Sequence, residues 1–357
     1  MDFQLTEEQQ ALVDLTEQIL ADKVDHAALR ELEASGGRIH REAWKALADA
    51  GVLGALLPES AGGAGVGMAG VSAVLEVVGK HAAPVPIYPS IAIAGQALAT
   101  LGTEAQQALL PDMAAGDVIV TAALAEVGGV SATDHVLSGS TGFVPSGLDA
   151  QHALVATQAG TYLVDLSTEG VEVSEMQTTT GYSEAKLSFD SVQLSEDDLL
   201  GGQAANGEHH ASMQRRADVA ICALTTGICE GALDLLGTYA NERQQFNRVI
   251  ASFQAVSQRA GDSYIDTEAV RLTARSAAFH LDQHEQDPAT AGKIAIARWW
   301  AAEAGHRVVH AATHIHGGVG VDRDYPLHRH FLMSRQLELT LGNAEQQLEK
   351  LGDVLAV

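Results

Sequence analysis

The chain has 357 residues, 46% of them hydrophobic and only 4% aromatic, a length that predicts two or three domains. A net charge of −25 and an isoelectric point near 4.8 repel phosphate at long range, which excludes non-specific binding to nucleic acid or anionic membranes. An anionic cofactor held by a local cluster of arginines stays compatible with that field. Met1-Asp2-Phe3 leads directly into a helix, without the basic and apolar regions of a signal peptide, and no stretch of 18 apolar residues reads as a membrane span. The two cysteines, Cys222 and Cys229, lie seven apart on one helical face and read as small buried thiols, so a cytoplasmic protein is expected.

In chain order, Thr6-Glu7-Glu8-Gln9 is a capping-box helix start, and Leu12, Leu15, Ile19 and Leu20 then form one apolar face. A second helix is expected over Arg41 to Ala50. The turn-rich Leu57-Pro58-Glu59 and Gly62-Gly63-Ala64-Gly65 follow it, and then helices over Met68–Val78 and Ile91–Leu101. The character changes at Val118. Short apolar runs at Val118–Leu124, Ala153–Ala156, Tyr162–Val164, Val171–Val173 and Lys186–Phe189 predict a small antiparallel β domain ending near Leu200-Gly201-Gly202. Helices over His210–Asn241, Ser252–Gln283, Pro288–His316 and Leu332–Leu351 then predict an up-down bundle. The third opens on an Asp287 N-cap with Pro288 in its first turn, and it ends at Gly317-Gly318-Val319-Gly320, where backbone can approach a flat or anionic group.

Arg243, Phe246, Phe253 and Gln254 lie between two of these helices. Singly they read as a helix-dipole cation and core residues; together they could hold a planar ring system and a diphosphate. His306, His310 and His314 recur at i, i+4 and i+8, but no carboxylate or cysteine cluster accompanies them and no metal site is assigned. There is no GxSxG elbow and no P-loop, and no GxGxxG follows a strand, so a Rossmann nucleotide site is not expected.

These pieces bring the chain to a family. It resembles the acyl-CoA dehydrogenases over almost its full length, most of all the short subunits found in bacterial steroid and lipid catabolism. The resemblance is carried by Leu5-Thr6-Glu7-Glu8-Gln9, Ala48-Asp49-Ala50-Gly51-Val52-Leu53-Gly54, Leu57-Pro58-Glu59, Ala123-Leu124-Ala125-Glu126 and Phe143-Val144-Pro145. In the second half it rests on Phe189-Asp190-Ser191-Val192, Glu242-Arg243, Phe253-Gln254, His316-Gly317-Gly318-Val319-Gly320 and Gly342-Asn343-Ala344-Glu345.

The resemblance implies an α+β fold: a helical domain (1–117), a small antiparallel β domain (118–202) and a C-terminal four-helix bundle (203–357), with FAD between the last two. It implies α,β-dehydrogenation of an acyl-CoA thioester, an electron-transfer flavoprotein as acceptor, and a like or related subunit that completes the site. Arg243, Phe246 and Gln254 would approach FAD from one face, and His314, Gly317 and Gly318 would cross from the partner. Gly342, Asn343 and Glu345 would line the flavin, with Leu124, Glu126 and Phe143 to Ser146 approaching the isoalloxazine from the β domain.

Departures from the family pattern bear on chemistry. The usual base, a Glu just before the Gly-Asn step, is Leu341 here. A second family location maps near Ala217, which makes neighbouring Asp218 the candidate base; the competing reading is that Asp218 pairs with Arg215 or another arginine. Glu230 and Glu338 are further carboxylates off the family positions. The family Thr-Glu-Pro has become Ala125-Glu126-Val127 and its Phe-Gly has become Phe246-Asn247, while only a brief link is expected from Gly139 to Phe143. Three functions follow: a FAD-dependent dehydrogenase subunit, with its own base or with one supplied by a partner; a non-catalytic interaction protein; or a flavin enzyme of other chemistry.

Overall fold

The computed structural model describes residues 3–124, 129–205 and 207–356. Helices come first: α1 (Glu7–Lys23), α2 (His26–Ala34), α3 (Arg41–Asp49), α4 (Val52–Ala55), α5 (Gly67–Lys80), α6 (Gln96–Leu101), α7 (Glu104–Gln107) and α8 (Leu110–Ala114). A π-helical stretch, Ile87–Gly95, runs straight into α6. The strands are β1 (Val120–Ala123), β2 (Val130–Thr133), β3 (Val136–Pro145), β4 (His152–Thr157), β5 (Gly160–Asp165), β6 (Val171–Glu175) and β7 (Glu184–Gln193). Then come α9 (Glu208–Glu242), a short hairpin of β8 (Gln244–Gln245) and β9 (Arg248–Val249), α10 (Gln254–His284), α11 (Pro288–His316), α12 (Leu327–Leu339) and α13 (Ala344–Leu355). This is the expected α+β order of helical, β and bundle regions.

Local rules set several boundaries. The Thr6 hydroxyl accepts from Gln9 N at 3.2 Å while the Gln9 side chain accepts from Thr6 N at 3.0 Å, which completes the capping box. Asp287 caps α11 through Ala289 N at 2.9 Å, with Pro288 at the first helical position.

Two expected helices differ. The one placed at Ile91–Leu101 begins at Ile87 and is π-helical as far as Gly95. The one placed at Leu332–Leu351 is broken into α12 and α13, because Leu341 and Gly342 take positive φ (57° and 111°) and Asn343 then caps α13 in a capping box with Gln346.

Strands β1 to β7 form two sheets, β1-β4-β5 and β2-β3-β7-β6, and β8-β9 is a separate two-stranded ribbon. All pairs are antiparallel except β1 with β4, which is parallel. The expected brief link from Gly139 to Phe143 is part of β3, a ten-residue strand inside the second sheet. A register shift between Thr141 and Val144 bulges β3 and leaves Phe143 at φ 52° and 57% exposed. Bulges of this kind re-aim a side chain out of the ladder.

The core is organised around α9, which packs on α5, α10, α11 and α12. Among the described residues α9 is the helix long and apolar enough to cross a membrane, and 78% of its apolar window is buried inside the fold. Its hydropathy serves core packing. The α5–α9 crossing brings backbone against backbone. A Cβ on Gly227 would sit 1.8 Å from the Glu76 carbonyl oxygen, and one on Gly79 would sit 2.2 Å from that of Leu224. Only a residue without a side chain fits either position.

Gly227→Ala must therefore spread the two helices and lose about 1–3 kcal/mol in chemical denaturation. Gly237→Ala on the same helix, where a Cβ meets nothing within 4 Å, is expected to be neutral or to stabilise by about 0.5–1 kcal/mol. Equal effects at the two sites would refute the close-crossing account.

Candidate functional site

A cavity of about 830 Å³ opens where the helical, β and bundle regions meet. The π-helical stretch contributes Tyr88 and Ile93, β1 leads into Leu124, and the bulged end of β3 contributes Phe143, Pro145 and, just after it, Ser146. The other walls are Met333, Gln336 and Leu337 of α12, Leu341 and Gly342 at the helix break, and Lys350 of α13. The lining is mainly apolar with a few convergent polar groups, the usual composition of a small-molecule site.

Of the residues singled out from sequence, Leu124, Phe143, Ser146, Leu341 and Gly342 meet on this cavity. Glu126 lies outside the described residues. Asn343 spends its side chain on capping α13, and Glu345 is exposed in the first turn of that helix.

Arg243 closes α9, 19 residues beyond the cavity residue Leu224, about 28 Å along the helix. Phe246 is 88% exposed at φ 53° and meets Phe253 edge to face, while the Arg248 guanidinium sits 4.0 Å over the Phe253 ring. Gln254, His314, Gly317 and Gly318 are exposed too. Both patches share one end of the bundle, because Tyr239 near the end of α9 stacks at 4.3 Å on buried His316 at the end of α11. That end does not line the cavity.

Asp218 is 5% exposed and does not line the cavity. Its carboxylate lies 3.0 Å from Nε of Arg298, a fully buried arginine of α11. Burial pushes the Asp218 carboxyl up and the Arg298 charge opposes the shift. The same guanidinium donates to the carbonyl oxygens of Thr340 and, at 3.1 Å, of Gly342. Arg298 thus fastens the α12–α13 break to α9. Of the other carboxylates considered, Glu230 pairs with Arg271 and Lys80, and Glu338 with His306 and Arg335.

The sequence reading missed Glu184, the one carboxylate among the described cavity-lining residues. It is 8% exposed at the start of β7, paired in register with Pro145. Gln336 Nε2 donates to one of its oxygens at 2.9 Å, and the other is buried without a hydrogen-bond partner. Burial raises its pKa to about 7, opposed by the Gln336 hydrogen bond. The signal was available in outline: Ala185, Leu187 and Phe189 alternate into the sheet's own core, so Glu184 is out of phase with them and faces the helices. That α12 covers this position could not be read from the strand.

Two family models match, the acyl-CoA dehydrogenase N-terminal domain over residues 6–117 and the acyl-CoA dehydrogenase C-terminal domain over residues 212–356. The chain belongs to the acyl-CoA dehydrogenase family. It is 37% identical to acyl-CoA dehydrogenase FadE27 of Mycobacterium tuberculosis, over 100% of this chain and 99% of that one. Among solved structures it resembles a chain of the ChsE4-ChsE5 complex from Mycobacterium tuberculosis, with a TM-score of 0.93 and 36% identity over 100% and 99% of the two chains. A chain of a variant of the Tcur3481-Tcur3483 steroid ACAD superposes with a TM-score of 0.90 at 36% identity, over 98% of each.

Two outcomes are expected from these contacts. Arg298→Met strands the Asp218 carboxylate in the core and lowers unfolding free energy by about 3–5 kcal/mol, and adding Asp218→Leu recovers part of that loss. An unchanged denaturation midpoint for the single variant would mean that the pair is not maintained.

Glu184 makes stability depend on pH. Its folded-state value lies above the ordinary 4.5, so its stabilising contribution is complete below about pH 4.5 and is lost as pH rises through about 7. Glu184→Gln should therefore exceed the parent in stability by up to about 3 kcal/mol at pH 8, with no difference at pH 4. A gap that does not change with pH counts against a raised Glu184.

Proposed function

We propose that this chain is one subunit of an oligomeric FAD-dependent acyl-CoA dehydrogenase, acting on an acyl-CoA thioester in lipid or steroid catabolism, and that a related partner subunit supplies the carboxylate base. The observation that carries the division of labour is the Asp218–Arg298 ion pair, taken together with Leu341 on the cavity wall. The family's base position holds a leucine on the cavity wall, and the nearby candidate carboxylate is turned away into an ion pair with Arg298. A base for α-proton abstraction must be within reach of the substrate carbon, and neither residue meets that requirement.

The residues present suit part of a flavin site. Leu124, exposed Phe143 and Pro145 make an apolar wall for a flat ring, and the side chain of Ser146 supplies a polar contact at its edge. Gly342 and the neighbouring Asn343 and Glu345 would border the ring. Arg243, Phe246, Gln254, His314, Gly317 and Gly318 face outward, as residues that reach a neighbouring subunit's cofactor must. FAD, when bound, supplies the two-electron acceptor for the β-hydride, with an electron-transfer flavoprotein as the next acceptor. The apolar cavity walls exclude water from the reacting carbons, which strengthens every polar contact made there. On this reading the chain divides near residues 117 and 202.

The test is an absorbance spectrum followed by anaerobic titration with a panel of acyl-CoA thioesters, on the purified chain and on the chain co-purified with a related subunit. Flavin that bleaches in the complex and not in the chain alone is the expected result. Bleaching by the chain alone at the rate of the complex would overturn the partner-supplied base. Absence of flavin from both preparations would favour a non-catalytic interaction protein on this fold.

A further inference from the structure

We propose that Tyr88 is a specificity-determining residue of the cavity: its hydroxyl donates a hydrogen bond to an oxygen atom on the carbon skeleton of the acyl group, so that a skeleton carrying a hydroxyl or carbonyl is favoured over a plain hydrocarbon. The inference rests on the acyl-thioester reading of this chain's cavity and deepens it.

The placement of Tyr88 carries the argument. It belongs to the π-helical stretch Ile87–Gly95 and is the one residue of that stretch that is not buried. Stretches of π-helix are rare and concentrate at functional sites. Tyr88 lines the cavity among Val78, Val85, Pro89 and Ile93, and between residues 78 and 93 this wall carries no other polar side chain. Among the described residues its hydroxyl has no hydrogen-bond partner, and unlike the free oxygen of Glu184 it is not closed off by the atoms around it. A tyrosine hydroxyl in such surroundings ordinarily has a partner. A phenylalanine would pack in this wall equally well, so the hydroxyl answers to what fills the cavity.

Several other polar groups of the cavity are engaged by the protein itself. Tyr182 donates to the Ala82 carbonyl oxygen at 2.5 Å, Ser183 to Asp149 at 2.8 Å and Thr340 to the Gln336 carbonyl oxygen at 2.8 Å. The side chains of Ser146 and Lys350 also lack a hydrogen bond or ion pair among the described residues, but they belong to the end of β3 and to α13, not to the apolar wall. Burial and the Asp218 charge hold the Tyr88 phenol protonated, against the opposing Arg298 charge, so it stays a donor at neutral pH. A hydrocarbon body lying on this wall excludes water from the hydroxyl. The ligand then brings an acceptor, or the donor is left unpaired, which is costly. The thioester end has to meet the flavin at the Phe143–Ser146 and Leu341–Gly342 walls, so the oxygen that meets Tyr88 belongs to the acyl body lying along Val78 to Ile93.

The experiment is calorimetric titration of the purified full chain, parent and Tyr88→Phe, with matched acyl-CoA thioesters. The panel holds a plain fatty acyl chain, the same chain with a hydroxyl or keto group at successive carbons, and a steroidal acyl pair with and without a ring carbonyl. The parent is expected to bind at least one oxygenated member about tenfold tighter than its plain counterpart. Tyr88→Phe, which keeps the ring, should bind the plain members as tightly as the parent or tighter and lose the preference. A preference that survives in Tyr88→Phe overturns the assignment, as does a parent that binds plain and oxygenated members alike, and either result leaves the acyl-thioester reading standing. Plain members weakened by the substitution as much as oxygenated ones would place the hydroxyl on the thioester and overturn skeleton recognition. If neither protein binds any thioester, the acyl-thioester reading of this cavity has failed, and the role of Tyr88 falls with it.

Discussion

The buried guanidinium of Arg298 is the constraint around which the bundle and the cavity are arranged. An arginine with 0% exposure is tolerated only where acceptors surround it. The chain provides them from three places: the Asp218 carboxylate on α9, and the carbonyls of Thr340 and Gly342 where α12 ends. Helix termini leave carbonyls without intrahelical partners. Arg298 therefore satisfies a helix end and neutralises a buried acid with one side chain, and it ties α11, α9 and the α12–α13 break into a single unit. The break is what puts Leu341 and Gly342 on the cavity wall. A continuous helix through that segment would offer Arg298 no free carbonyl.

The same unit explains how a non-glycine residue is kept at positive φ. Leu341 at φ 57° carries a backbone cost of about 1–3 kcal/mol that persists only where its surroundings over-determine it. Arg298 grips the carbonyls on either side of it, and the Asn343 cap starts the next helix two residues later. The backbone at Leu341 is thus held by its neighbours, and its own side chain is left free to line the cavity.

Legibility followed the range of the interactions. Thr6 with Gln9 and Asp287 with Pro288 obey rules that act within a few residues, and both helix starts were readable from sequence. The partner of Asp218 lies 80 residues further on, at a position nothing local distinguishes from any other helical arginine. Strand β3 was hidden because its bulge interrupts the two-residue alternation and its glycines, serines and threonines resemble a loop. The break before α13 was written in the chain as Gly342-Asn343 followed by Gln346. Leu337, Leu341 and Leu348 kept an apolar helical spacing across it and masked the signal. The cavity half of the site was thus partly visible as motifs, while Glu184 needed the tertiary placement of α12 over β7 to become a candidate at all.

The other half of the motif set points outward, and its physics argues for a second chain. Phe246 exposes 88% of its surface and sits at φ 53°, a conformation that disfavours a bulky side chain. The φ belongs to the two-residue turn of the β8–β9 hairpin, where Asn247 is positive as well, and among the described residues the Phe246 ring makes an edge contact with Phe253, itself covered by Arg248. Water can solvate Arg243 and Gln254, while an exposed aromatic next to two cations and the exposed Gly317 and Gly318 make the surface that the proposed oligomer would turn towards a neighbouring subunit's cofactor. The cavity residue Leu224 lies about 28 Å from Arg243 along α9. In the proposed oligomer these two surfaces would serve two different cavities, one in each subunit.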